Sequence, residues 1–292
     1  MVWPLASIAV YVVLVGVASF IEVPIGRGLS AFQLNLLIRV GSASAALLAV
    51  FVVHGFPRVS LQSSAAGLGI GVMTGAGSIF YCFALKYMRV SLVVTFSNLY
   101  LVITALLGIV VLAEAVTVLK VAGFAATLVG VVVLSHSPAR YGVNRDDESD
   151  SGSLPKRAYA VMASYVVIIG VSAFLEKPAL KGLDATELNG LMAIAMVAVA
   201  SIALGVQGAR LPNVAKSLRA AGVGAMIGVG SVFYFLGLRG LPVSVAAASS
   251  NASIVITVLL ATIVLHRPLT ISKSAGIGMT LVGVTFLALS AG

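Results

Sequence analysis

Residues 16–35 read GVASFIEVPIGRGLSAFQLN, and residues 170–189 read GVSAFLEKPALKGLDATELN. Ten of these 20 positions are identical at an offset of 154, among them Glu22 with Glu176, Pro24 with Pro178 and Asn35 with Asn189. A shared excess of Val and Leu inflates chance matches, but it does not bring Glu, Pro and Asn into register. The register continues downstream. Residues 75–104 return at 228–257 with 13 of 30 identities, including Gly-x-Gly-Ser-x-Phe-Tyr and Ser-Asn. Residues 117–134 return at 270–287 with 10 of 18, including Lys120 with Lys273. The chain is an internal duplication, and one half sets the architecture of both.

Each half is a string of apolar runs. Segments of membrane-crossing length fall at 5–26, 32–53, 64–86, 91–112 and 117–136, then at 158–179, 186–207, 217–238, 243–265 and 271–290. Charges, Pro and Gly bound them, and the alternation of barrel strands is absent, so the predicted fold is all-α with ten membrane-spanning helices. The first run lacks the basic start and cleavage signature of a signal peptide and reads as a true span. The expected units are a first five-helix repeat at 1–137, a flexible polar linker at 138–157 and a second repeat at 158–292.

Composition agrees. Of 292 residues, 60% are hydrophobic and 9% charged, against about 25% charged in soluble proteins; the mean hydropathy is +1.13. Too few charges remain to cover a water-soluble surface, which excludes a soluble enzyme, a disordered chain and a secreted disulfide scaffold. The single cysteine, Cys82, allows no internal disulfide, and His54, His136 and His266 have no metal-ligand spacing. The net charge of +9 is dispersed between apolar runs, unlike a nucleic-acid stripe. The glycines at 67, 69, 71, 75 and 77 lack the strand-turn-helix setting of a nucleotide loop. No cofactor or metal is expected. The expected partners are a small-molecule substrate and the lipid bilayer, with no nucleic acid, in a monomer or homodimer.

Five spans per half is an odd number, so the second half enters the membrane from the opposite side. Such inverted-topology repeats characterise secondary transporters, with a binding site near mid-membrane between the halves. The sequence also resembles the EamA-type members of the drug/metabolite transporter superfamily. The resemblance rests on Gly28–Arg39 at the start of span 2, Ala84–Ser91 entering span 4, and Leu112–Thr117 with Gly123 entering span 5. It covers both halves. The family's usual Trp in span 1 is missing, and Glu114 is matched by Arg267. The resemblance implies a multi-pass transporter of the cytoplasmic (inner) membrane rather than an enzyme. It further implies amino-acid or metabolite export, with spans 1, 3, 4, 6, 8 and 9 lining a cavity. A proton-coupled exporter of toxic cations or drugs is the alternative, with a membrane enzyme or scaffold a distant third.

Polar groups inside apolar spans are the candidate substrate-binding residues, because burying them is costly without a role. Glu22 and Glu176 are matched carboxylates just before matched prolines, able to hold an ammonium or carry a proton. Asn98 and Asn251, each after a Ser, could hydrogen-bond substrate or tie helices together. Tyr81 and Tyr234 follow matched phenylalanines. Tyr100 is matched by Ser253, an asymmetry able to shape a pocket. Arg39 reads as a headgroup anchor or a partner of Glu22. Glu114 reads as an acid at the positive end of the fifth span. Gly71 with Gly75, and Gly224 with Gly228, read as close helix contacts.

Of the 18 Lys and Arg, 13 fall on the loop set that includes the linker. The positive-inside rule then puts the linker in the cytoplasm and both termini outside. The resembled family implies termini inside. The charge count is the reading carried forward.

Overall fold

In the computed structural model the described residues are 2–55, 60–88, 90–135, 156–266 and 269–291. Among them the chain forms twelve helices and no strand. These are α1 (Val2–Ile25), α2 (Ala31–His54), α3 (Leu61–Tyr87), α4 (Val90–Ser97), α5 (Tyr100–Leu112), α6 (Val118–Ser135), α7 (Lys156–Ala179), α8 (Ala185–Val206), α9 (Val214–Gly240), α10 (Val243–Ser250), α11 (Ser253–Val264) and α12 (Ile271–Ser290). They make ten spans, because α4 with α5 and α10 with α11 are each one apolar run broken in the middle. Nine stretches are long and apolar enough to cross a membrane, and α6 is a shorter tenth. The linker expected at 138–157 lies outside the described residues up to 155; residues 156 and 157 open α7.

Helix starts are set by matched caps. Ser30 with Gln33 closes a capping box on α2, and Asp184 with Glu187 closes the same box on α8. Ser60 caps α3 as Asn213 caps α9. The Thr117 hydroxyl accepts from Lys120 N before α6, as Thr270 accepts from Lys273 N before α12. Pro24 and Pro178 stand in the last turns of α1 and α7, each removing an i→i−4 hydrogen bond, and both helices end one residue later.

Contacts obey the duplication. α9 packs on α1 and α2, and α3 packs on α7 and α8. α1 packs on α11 as α7 packs on α5, while α2 meets α8 and α6 meets α12. Exchanging the halves maps each of these contacts onto its twin, as a pseudo-two-fold between inverted repeats requires, whereas α10 packs on α5, α6 and α7 without a comparable counterpart at α4 among the described residues. The tightest contacts are backbone to backbone. A Cβ at Gly41 would lie 1.8 Å from the Ala221 carbonyl oxygen, and one at Gly224 would lie 2.1 Å from that of Ile38. Gly71 and Gly228 likewise meet backbone of a facing helix, and Gly75 meets Val199 and Met196. Small residues let helices approach where lipid gives no hydrophobic push. Each half also ties the other: Thr104 Oγ1 donates to Gly170 O at 3.0 Å, and its twin Thr257 donates to Gly16 O at 2.9 Å.

The helix directions give two faces. The linker face carries the ends of α1, α3 and α6 and the starts of α2, α4 and α7. The terminal face carries the start of α1 and the end of α12. A buried cluster including Leu180, Leu183, Leu188, Phe235, Leu238, Leu241 and Val243 fills the bundle toward the terminal face.

Candidate transport cavity

Between the linker face and the two mid-span breaks lies a cavity of about 430 Å³. Its wall includes Glu22 of α1, Asn35 and Arg39 of α2, Ser78, Tyr81 and Cys82 of α3, Tyr165 of α7, and Ser97, Asn98, Tyr100, Asn251 and Ser253 at the breaks. A volume of this size suits a small organic molecule.

The breaks explain why the asparagines are there. At residues 98–102 the backbone tightens to i→i−3 bonds, Leu101 N to Asn98 O and Val102 N to Leu99 O. The same tightening occurs at 251–255, with Ile254 N to Asn251 O and Val255 N to Ala252 O. A broken helix inside a membrane survives only where its polar groups face protein or a water-lined space. Asn98, 8% exposed, donates from Nδ2 to the Val94 carbonyl one turn back. Its twin Asn251 faces Tyr100, and its Nδ2 is buried with no hydrogen-bond partner.

The tyrosines form two crossed pairs. Tyr81 of the first half stacks on Tyr165 of the second, centroids 5.5 Å apart and planes at 50°. Tyr234 of the second half stacks on Tyr11 of the first at 5.3 Å and 49°. Tyr11 and Tyr165 match at the same offset of 154, a signal the sequence reading passed over. Each pair accompanies one glutamate. Glu22 lies with Tyr81 and Tyr165 on the cavity, within electrostatic range of Arg39. Glu176, 8% exposed, lies off the cavity, facing the Tyr234 hydroxyl and within electrostatic range of Tyr11. Its neighbour Lys177 turns away and donates to the Leu238, Arg239 and Leu241 carbonyls at the end of α9. Tyr100 joins the two sites: it lines the cavity and is in electrostatic range of both Tyr165 and Glu176.

Of the seven sequence candidates, Glu22, Tyr81, Asn98, Tyr100 and Asn251 line this cavity, while Glu176 and Tyr234 lie together outside its lining, toward the terminal face. Span 2 contributes as well, through Asn35 and Arg39, although the resemblance named spans 1, 3, 4, 6, 8 and 9. Arg39 is in the cavity wall, within electrostatic range of Glu22. Asn35 Nδ2 donates to Ser78 Oγ at 3.2 Å.

The terminal face is stitched by charge. Asp184 meets Arg239 at 2.5 Å and His54 at 3.2 Å, and accepts from Thr186 Oγ1. Glu114 joins the fifth span to the ninth: its carboxylate accepts from Lys120 Nζ in the first turn of α6 at 2.9 Å and from Val243 N and Ser244 Oγ at the start of α10. The residues matched to Asp184 and Arg239 are Ser30 and Lys86, so the linker face lacks this ion pair; there Lys86 Nζ donates to Gln207 Oε1 instead.

Two inverted five-span halves around a polar cavity that is open toward one face and sealed at the other describe a membrane transporter. The chain belongs to the EamA-like transporter family, whose sequence model matches residues 4–136 and 156–289, one match per half. It is thus a multi-pass membrane transporter of the drug/metabolite transporter superfamily. A solved crystal structure, titled only as that of a protein, superposes on 100% of this chain and 97% of its own with a TM-score of 0.79 at 17% identity. That likeness shows the fold. No curated protein matches the chain in sequence.

Proposed function

We propose that the chain exports small metabolites such as amino acids across the cytoplasmic membrane by alternating access, with Glu22, Tyr81, Asn98, Tyr100, Glu176, Tyr234 and Asn251 as the substrate-binding set. The observation that carries this reading is the pairing of an open and a closed copy of one site. Glu22 with Tyr81 and Tyr165 faces the cavity, whereas Glu176, 8% exposed, is buried off it beside the half-buried Tyr234 and Tyr11. Exchanging which copy is open moves a bound molecule from one face to the other, and the inverted halves make the two states close in energy. The positive-inside count places the linker face in the cytoplasm, so the cavity here faces the side from which an exporter loads. The repeat at 1–137, the linker at 138–157 and the repeat at 158–292 are the proposed units.

A proton-coupled exporter of organic cations is the second reading, because both sites hold a membrane-embedded carboxylate. Transport by purified protein in proteoliposomes, across a panel of amino acids and organic cations with and without a pH gradient, separates the two. Uptake of neutral amino acids indifferent to the gradient supports the first. Gradient-driven movement of a cation, abolished in the E22Q/E176Q double variant, supports the second. Movement of neither class contradicts both.

A further inference from the structure

Two nitrogen donors in the cavity wall have nothing to bond. Arg39 Nε and Asn251 Nδ2 are buried without a hydrogen-bond partner, and both residues line the cavity. A buried donor left unmade is costly, so a site retains one where something else completes it. Both donors are one-sided. The residue matched to Arg39 is Ala193, and the twin of Asn251, Asn98, has its amide nitrogen engaged by the Val94 carbonyl. The duplication therefore does not account for them; among the described residues Asn251 has only the Tyr100 hydroxyl to face, and Arg39 Nε has no acceptor at all.

The donors define the shape of what fits. A guanidinium presents N–H groups in a plane and matches a planar carboxylate, and the amide adds a neutral donor. Glu22 on the same cavity adds an acceptor of opposite charge, within electrostatic range of Arg39. A ligand that is only a cation would leave the donors unbonded, and a dianion would meet the Glu22 carboxylate. Resting on the amino-acid reading above, we infer that Arg39, supported by Asn251, is the specificity-determining anchor for the carboxylate of a zwitterionic substrate, whose ammonium faces Glu22.

The test compares neutral L-amino acids with their carboxamides, which keep the ammonium and lose the carboxylate. Uptake of radiolabelled alanine, leucine and phenylalanine and of the three amides is measured in proteoliposomes holding wild-type, R39K or R39Q protein. Wild-type protein is expected to move at least one acid about tenfold or more better than its amide. R39Q lowers kcat/KM for that acid about tenfold to a hundredfold, chiefly through KM, and does not lower that for the amide, which loses no carboxylate contact and is freed of a like charge. R39K, which keeps the charge and loses the planar fork, falls between. Equal transport of acid and amide by wild-type protein overturns the anchor and leaves the amino-acid reading standing. That comparison needs no variant to fold. An equal loss for acid and amide in R39Q also overturns the anchor. Wild-type protein that moves neither acids nor amides overturns the amino-acid reading and this inference with it.

Discussion

Single residues decide how near the helices come and how well the terminal face is held. Gly41 has the Ala221 carbonyl where a Cβ would be, whereas Gly69 has nothing within 4 Å. Gly41→Ala should therefore cost about 1–3 kcal/mol by overpacking and lower the thermal midpoint, while Gly69→Ala should leave it unchanged or raise it slightly. A melting curve of each variant in detergent checks this. Asp184, outside the spans, has its acid range lowered. Partial burial opposes ionisation, but the His54 hydrogen bond, the Arg239 charge, and the Ala185 N–H and Thr186 bonds outweigh it. The folded value lies below the unfolded one, so the stabilisation is fully present above the ordinary aspartate range and is lost as pH falls through the depressed value. The stability gap between wild type and D184N should be flat from about pH 8 to 5 and shrink only below about pH 4. Of the candidate site, Glu22 with Glu176 and Asn98 with Asn251 were visible in the sequence as matched pairs, because polar groups in apolar runs stand out. Arg39 and Tyr165 stood out less. One has no twin, and the other looks like any tyrosine until the fold brings it beside Tyr81.

At the scale of the element, the spans and their pairing follow from hydrophobic length and the repeat, whereas the two mid-span breaks were not legible. No Pro or Gly marks them; the chain runs Thr-Phe-Ser-Asn-Leu-Tyr through one and Ala-Ser-Ser-Asn-Ala-Ser through the other. Only the asparagine, a residue able to bond its own backbone, hints at a turn, and a helix in isolation would run through it. What holds α10 is equally nonlocal. Its first N–H and Ser244 are bonded by Glu114, over a hundred residues earlier, and Glu114 is neutralised by Lys120 with both side chains 8% exposed. Glu114 reads in sequence as a cap for the next helix because its real partner is contributed by the other half. Removing one member leaves a buried charge. E114Q should destabilise by about 3–5 kcal/mol, and E114Q/K120M should recover much of that loss. Denaturation midpoints of the two variants, with K120M alone to close the cycle, give the coupling directly.

For the whole molecule, symmetry and its violation divide the work. Caps, the Gly71 with Gly224 and Gly75 with Gly228 contacts, the Thr104 and Thr257 ties and the tyrosine pairs all obey the duplication. The Asp184 and Glu114 networks and the lone Arg39 do not: the networks tie the terminal face, and Arg39 sets a guanidinium near Glu22 in one cavity. An alternating transporter needs both properties: equivalence so that two states exist, and difference so that each state has its own loading and release. The central claim is that the two copies of the site open in turn to opposite faces, and sided labelling tests it most directly. In a Cys82→Ser background, a cysteine is placed at Ser97, on the cavity, or at its twin Ser250, which is 6% exposed. An impermeant thiol reagent is then applied to oriented membrane vesicles from one side at a time. S97C should react only from the linker face, the cytoplasmic side by the charge count. S250C should stay protected until a transported substrate is added, and should then react from the opposite face as S97C labelling falls. Labelling of both positions from the same face, unchanged by substrate, would contradict alternating access.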